Sequence, residues 1–115
     1  MPRYMALIYA TEGPMDPSSP ETQKMFAAYG AFTEEVQKAG VMKGGDGLLP
    51  TTMATTVRVR DGKAATTDGP FAETKEQLIG YYELHCKDLD EAVHWASKIP
   101  DAARGSIELR PILEM

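Results

Sequence analysis

The chain is poor in cysteine and histidine and has no long apolar run. A lone cysteine, Cys86, excludes an internal disulfide framework and any zinc site of several thiolates, and it suits a reducing compartment. The two histidines, His85 and His94, fall on different expected elements without the local spacing of a zinc or iron site. The first apolar run, Tyr4 to Ala10, is too short to span a bilayer and lacks the flanks of a signal peptide. Positive charge is also short: 12 Lys and Arg against 17 Asp and Glu give a net charge of −5, which repels phosphate backbones. Gly44-Gly45-Asp46-Gly47 lacks a Gly-Lys-Ser/Thr sequence and a following helix, so it fits neither the dinucleotide nor the phosphate-loop pattern. These deficits point to a cytoplasmic protein with no metal, no nucleotide cofactor, no membrane contact and no direct nucleic-acid partner. What remains is ordinary: 115 residues, 43% of them hydrophobic, enough for one packed domain and no second one.

The apolar residues arrange themselves by period. Tyr4 to Ala10 is nearly continuous and ends at Glu12-Gly13-Pro14, the pattern of a central strand buried on both faces. Ser18 and Ser19 before Pro20-Glu21 open a helix with a capping hydroxyl, a proline in the first turn and an early carboxylate. Met25, Phe26, Tyr29, Phe32, Val36 and Ala39 form its apolar stripe, and Gly40 stops it. Val41-Met42-Lys43 with the glycines that follow reads as a kinked or bulged strand ending at Pro50. Thr55 to Arg60 alternates, and Asp61-Gly62 then turns it into a hairpin pairing Arg60 with Lys63, Val59 with Ala64, Val57 with Thr66 and Thr55 with Asp68. Gly69 and Pro70 break the ladder. Leu78 to Cys86 is a strand with Tyr82, Leu84 and Cys86 on one face and Tyr81, Glu83 and His85 on the other. Asp88 and Glu91 begin a second helix with Leu89, Ala92, Val93, Ala96 and Ile99 as its buried stripe, and Pro100 ends it. Ile107 and Leu109 mark the last strand.

Strand, helix, strand, hairpin, strand, helix, strand is the order of a ferredoxin-like α+β domain: an antiparallel sheet, two helices on one face and an inserted β-hairpin. The face without helices carries apolar residues beside Tyr81, Glu83 and His85, which predicts a second sheet over it and hence a homodimer.

Candidate chemistry gathers at Asp68-Gly69-Pro70-Phe71. Asp68 can hold an Asx turn by accepting a backbone hydrogen bond from two residues on. Alternatively, a carboxylate on the apolar face of the hairpin is partly desolvated and exchanges a proton near neutral pH as a general acid or base. The loop with Glu73, Lys75 and Glu76 carries both charge signs, suited to a small anionic or phenolic substrate or to plain solvation. His85 shares a face with Tyr81 and Glu83, an acid–base-capable cluster if covered and an interface histidine otherwise. Cys86 is a core residue, because alternation turns its neighbours His85 and Lys87 to the opposite face. Asp68 is thus the candidate catalytic residue, with Gly69, Pro70, Phe71, Glu73, Lys75 and His85 as candidate substrate-binding residues.

Several segments together carry a family resemblance: Tyr4 to Tyr9, Ala28 to Glu35, Thr55 to Gly62, the long Thr67-Asp68-Gly69-Pro70-Phe71-Ala72-Glu73-Thr74-Lys75-Glu76-Gln77 motif, and Asp88 to Ala92. The chain resembles the DGPF-domain branch of the YCII-related family over nearly its whole length. The resemblance implies a single such domain over residues 1–115, a dimeric α+β barrel of ferredoxin-like subunits, and a small bacterial cytoplasmic protein whose relatives are often encoded beside extracytoplasmic-function sigma factors. In the related YciI-like branch a histidine and an aspartate are proposed as an acid–base pair, and one relative eliminates chloride from a chlorinated hydroxyquinol. This chain departs there, since the helix from Pro20 to Ala39 has no histidine. Tyr29 on that helix is the possible phenolic substitute, although it also fits the apolar stripe. Two functions follow: a cofactor-independent lyase, isomerase or dehydrochlorinase, or a metabolite binder, with Asp68 handling the proton; or a non-catalytic dimer that docks on a sigma factor through its acidic surface.

Overall fold

The computed structural model describes residues 1–13 and 16–115. Its elements are β1 (Arg3–Ala10), α1 (Pro20–Lys38), β2 (Met42–Gly47), β3 (Thr55–Arg60), β4 (Lys63–Asp68), β5 (Gln77–His85), α2 (Leu89–Ala96) and β6 (Ser106–Pro111), with short 3-10 turns at Thr51–Met53 and Pro100–Ala103. Four strands form one antiparallel sheet in the order β2-β5-β1-β6, while β3 and β4 pair only with each other. Each strand–helix–strand unit leaves a gap of one strand that the other unit fills, which is the ferredoxin-like α+β plan with an inserted hairpin.

Alternation decides what each face holds. Tyr4, Ala6, Ile8 and Ala10 of β1 and Tyr82 and Leu84 of β5 are buried under the helices. Arg3, Met5, Leu7 and Tyr9, with Tyr81, Glu83 and His85, lie on the opposite face and stay half-buried. The strand expected to be buried on both faces is therefore central, as its apolar run indicates, but in the single chain it is fully covered on one face only.

Both helices begin as their sequences direct. The Ser19 hydroxyl accepts from the Glu21 N–H, Pro20 occupies the first turn, and Gly40 takes a left-handed φ of 73° just past the end of α1. Asp88 accepts from the Glu91 N–H, and the Glu91 carboxylate reaches back to the N–H of Lys87. The buried stripes are narrower than the sequence period implies. Of the α1 stripe only Phe32 and Val36 are buried; Met25 and Tyr29 are half-buried, and Phe26 and Ala39 are exposed. In α2 the small Ala92 and Ala96 face the sheet with Ile99 beyond them, whereas Leu89 and Val93 are exposed. The half-buried Trp95 takes part in this packing. Phe32 meets Tyr82 edge to face at 5.1 Å, and Val36, Leu84 and Ile99 are sealed from solvent, each contributing about 1.5 to 3 kcal/mol.

Hence α1 rests on the sheet by its second half, while its first half stands off and leaves a space over β2 and β5. Two irregularities shape the floor of that space. Met42 pairs with Leu84 and Gly44 with Glu83, so β2 bulges at Lys43, as its glycine-rich sequence predicts. A second bulge between Ile8–Gly80 and Tyr9–Leu78 frees Ile79, which packs against the core.

The hairpin has the predicted register from Arg60–Lys63 to Thr55–Asp68, turning through Asp61 and Gly62 at φ 52° and 75°. It is an arm rather than part of the core. Val57 and Val59 remain 62% and 60% exposed. The arm also explains a radius of gyration of 16.1 Å, against the roughly 13 Å of a compact domain this size. Among the described residues no helix is long and apolar enough to cross a membrane.

Candidate functional site

The space under the first half of α1 is an open cleft of about 720 Å³, within the usual range of small-molecule sites. Thr22, Met25, Phe26, Tyr29 and Thr33 of α1 form its roof. Ile8 of β1, Met42 and Gly45 of β2, and Ile79, Gly80 and Tyr82 of β5 form its floor. Glycine is required on that floor, because a Cβ on Gly45 would lie 2.7 Å from the Tyr82 ring and 2.8 Å from the Tyr81 carbonyl oxygen. Glu12 lies at one side, where its carboxylate accepts hydrogen bonds from the Thr51 N–H (2.9 Å) and the Thr51 hydroxyl. Asp46, paired with Tyr81, accepts from its hydroxyl at 3.0 Å on the other face of the sheet, outside the cleft.

At the inner end stands a group that no local motif announces. The turn after α2 carries Asp101, 1% exposed and the one buried charged residue among those described. One of its oxygens accepts the hydroxyl of Tyr29, reached across the fold from α1. The other is ion-paired with Arg104 Nε, so both carboxylate oxygens are held by partners. Arg104, half-exposed, also donates to the Thr11 carbonyl at 3.2 Å. Burial, followed by the Asp101 carboxylate, pushes the Tyr29 phenol far above its ordinary value. Tyr29 therefore stays protonated and gives its proton to Asp101 in the hydrogen bond. Close by, Tyr82 shares a hydroxyl pair with Thr33 at 2.9 Å, and burial raises its phenol as well. A phenol bonded to a buried carboxylate can pass a proton from a ligand to that carboxylate without forming phenolate.

The residues singled out from sequence do not meet in this cleft. Asp68 ends β4 opposite Thr55, on the same face as Val57 and Val59, as predicted; that face is uncovered, so the expected desolvation of its carboxylate is not met in the single chain. It makes no Asx turn either, since the residue two on is Pro70, which has no N–H. The break is held instead by the Gly69 N–H donating to Ala54 at 2.7 Å and the Thr56 hydroxyl donating to the Gly69 carbonyl at 2.8 Å. Gly69 and Pro70 are half-buried, while Phe71, Glu73 and Lys75 are exposed. Glu76 accepts from the Ser106 hydroxyl. His85 lies on the opposite face of the sheet, 2.7 Å from Glu83, which Arg3 approaches at 3.7 Å. Cys86 is sealed from solvent; burial, with Glu91 and Asp88 nearby, pushes its thiol up to about 11, so thiolate chemistry is unfavourable.

Tyr29, considered in sequence as a phenolic donor or a core residue, is both half-packed and hydrogen-bonded. Reading the sequence passes over Asp101, which follows the Pro100 that ends the second helix. The available signal is the Asp101/Arg104 pair flanking two alanines, which places opposite charges one turn apart. No cluster of three or more histidine, cysteine or acidic side chains among the described residues is arranged to hold a metal ion.

Comparison with known proteins agrees with the fold. Residues 2–115 match the family model of the YCII-related domain. An uncharacterised protein of Rhizobium meliloti (strain 1021) is 39% identical over 97 residues, which cover 83% of this chain and 78% of that protein. An antiparallel ferredoxin-like sheet, a family match along essentially the full chain and this relative together assign the protein to the YCII-related family.

Proposed function

We propose that the protein binds a small molecule in the cleft beneath the first half of α1 and acts on it by acid–base chemistry of lyase or isomerase type, without a cofactor. The observation that carries this reading is the buried Asp101 carboxylate hydrogen-bonded to the Tyr29 phenol at the end of an open cleft. A proton leaving the ligand bonds to Tyr29 Oη while the phenolic proton moves to Asp101 Oδ2, leaving Tyr29 neutral, Asp101 protonated and the ligand one proton poorer. Arg104 pairs with the carboxylate and fixes its direction. On this reading the proton role expected of Asp68 belongs to Tyr29 and Asp101. The test is a fragment screen by thermal shift on the wild type and on Tyr29→Phe and Asp68→Asn. Hits whose stabilisation is lost with Tyr29→Phe and kept with Asp68→Asn support the cleft, and the opposite pattern removes it.

We also infer a homodimer, favoured by a separate observation. The uncovered sheet face holds half-exposed Met5, Leu7, Tyr9 and Leu78 between charged rims of Arg3, Glu83, His85, Glu108 and Arg110, and the arm leaves Val57 and Val59 in solvent. A sheet face of both charge signs around an apolar centre complements a second copy of itself across a two-fold axis. Sedimentation velocity on the full chain tests this: a dimer at micromolar concentration is expected, and a monomer up to 100 µM, roughly the low-affinity limit of specific interfaces, contradicts it.

A further inference from the structure

The inner half of the cleft holds two hydroxyl-bearing pairs, and their hydrogens specify a ligand more closely than the small-molecule reading above, on which this step rests. Tyr29 has one hydroxyl hydrogen and gives it to Asp101, so the oxygen it offers a ligand can only accept. Thr33 and Tyr82 have two hydroxyl hydrogens between them and use one in their 2.9 Å bond. Neither hydroxyl bonds to another group among the described residues, so whichever of the two donates, one hydrogen is left over. Burial raises the Tyr82 phenol, which therefore keeps its hydrogen at neutral pH. Thr33 follows Tyr29 by one turn of α1, so the spare donor and the acceptor lie along one face of that helix, and all three residues line the cleft. The pair is also held in place. The Tyr82 ring meets Phe32 edge to face at 5.1 Å and lies against Gly45, where a Cβ would come within 2.7 Å of it.

Charge and reactivity narrow the ligand further. Arg104, the cation among the described lining residues, is already engaged with Asp101 and the Thr11 carbonyl, so an anion would find no free positive partner. Ile8, Met25, Phe26 and Ile79 supply walls for a hydrocarbon body. A ligand that loses a proton to Tyr29 needs an acidic hydrogen. A carbonyl both accepts a hydrogen bond and acidifies the C–H beside it, whereas an ether or alcohol accepts without doing so. We propose that the cleft takes an uncharged, enolisable ketone or aldehyde on an apolar body, its carbonyl oxygen accepting the spare hydrogen of the Thr33–Tyr82 pair. When the C–H bond beside that carbonyl breaks, its proton goes to Tyr29 Oη as the phenolic proton passes to Asp101. The electron pair becomes the C=C bond of an enolate, and the charge gathers on the carbonyl oxygen, where the O–H stabilises it.

The test uses the full chain at neutral pH with acetophenone and, as a charged counterpart of similar size, benzoate, titrated while backbone amide shifts are followed by NMR. Acetophenone is expected to shift the amides of Tyr29, Thr33, Gly45 and Tyr82. Thr33→Val and Tyr82→Phe each leave one O–H in place and should weaken its binding by less than about threefold. The double variant replaces both hydroxyl groups by apolar groups of the same shape, which a fold tolerates, and should weaken binding about tenfold, the worth of one hydrogen bond. Asp68→Asn should leave it unchanged. In deuterium oxide the acetophenone methyl hydrogens are expected to exchange at least tenfold faster with wild type than with Tyr29→Phe. Undiminished binding by the double variant, benzoate bound as tightly to the same amides, or equal exchange rates would each overturn the carbonyl assignment while leaving the cleft a ligand site. No shift of those amides by either probe at 10 mM, about the weakest binding worth calling specific, would overturn the carbonyl proposal and the cleft reading together.

Discussion

The β3–β4 arm and the turn after α2 each carry an aspartate, and solvent reaches the two very differently. Asp68 closes the last pair of an isolated two-stranded ribbon, exposed together with nearly every residue around it. Asp101 sits in a turn pressed between α1 and the sheet, with Tyr29 on one oxygen and Arg104 beside the other. Charge is inexpensive in the first place and consequential in the second, because a carboxylate without water must be held by partners from distant elements. Chemical tuning follows enclosure, and the ribbon encloses nothing by itself.

This contrast can be broken most forcefully at the turn. A Cβ on Gly105 would stand 2.1 Å from the Tyr9 carbonyl oxygen, so Gly105→Ala must push the turn off β1 and is expected to cost more than about 3 kcal/mol in urea unfolding. Asp101→Ala strands the Tyr29 hydroxyl and the half-exposed Arg104; about 2 to 3 kcal/mol is expected, against less than about 0.5 kcal/mol for Asp68→Ala. Equal costs at the two positions would contradict the comparison.

A smaller effect comes from Tyr29→Phe, about 1 to 1.5 kcal/mol at neutral pH. Its pH dependence is more informative. The folded-state phenol of Tyr29 lies above its unfolded value, so the stability it contributes is complete below about pH 10, the unfolded value, and is lost as pH rises beyond it. Wild type should therefore lose stability more steeply than Tyr29→Phe above pH 10, as read from urea midpoints; parallel curves would mean the phenol is not perturbed. The least change in folding is expected on the arm. Val57→Ser with Val59→Ser should alter monomer stability by less than about 0.5 kcal/mol, while raising the dimer dissociation constant at least tenfold in sedimentation equilibrium if the arm joins the interface.

Much of this architecture was legible in residue order. Strand and helix sequence, the hairpin register and the facing of Tyr82 against Tyr81 follow from periodicity and from Asp61-Gly62, which are local signals. The width of the helix stripes was not, because whether Phe26 or Leu89 is covered depends on how far each helix stands from the sheet. The cleft was not legible for the same reason: it is the gap left where α1 lifts away. Asp68 stood out because it opens a long polar motif, yet the burial expected of it required something packed against the hairpin. Asp101 did not stand out because its partners lie far along the chain, Tyr29 72 residues away.

The central claim is that ligands meet Tyr29 and Asp101 rather than the segment beginning at Asp68. Backbone amide mapping of the full chain with the fragments that stabilise the wild type in the thermal-shift screen tests it most directly. The account predicts shifts confined to Thr22, Phe26, Tyr29, Gly45, Gly80 and Arg104; shifts confined to Asp68, Gly69, Phe71 and Glu73 would contradict it.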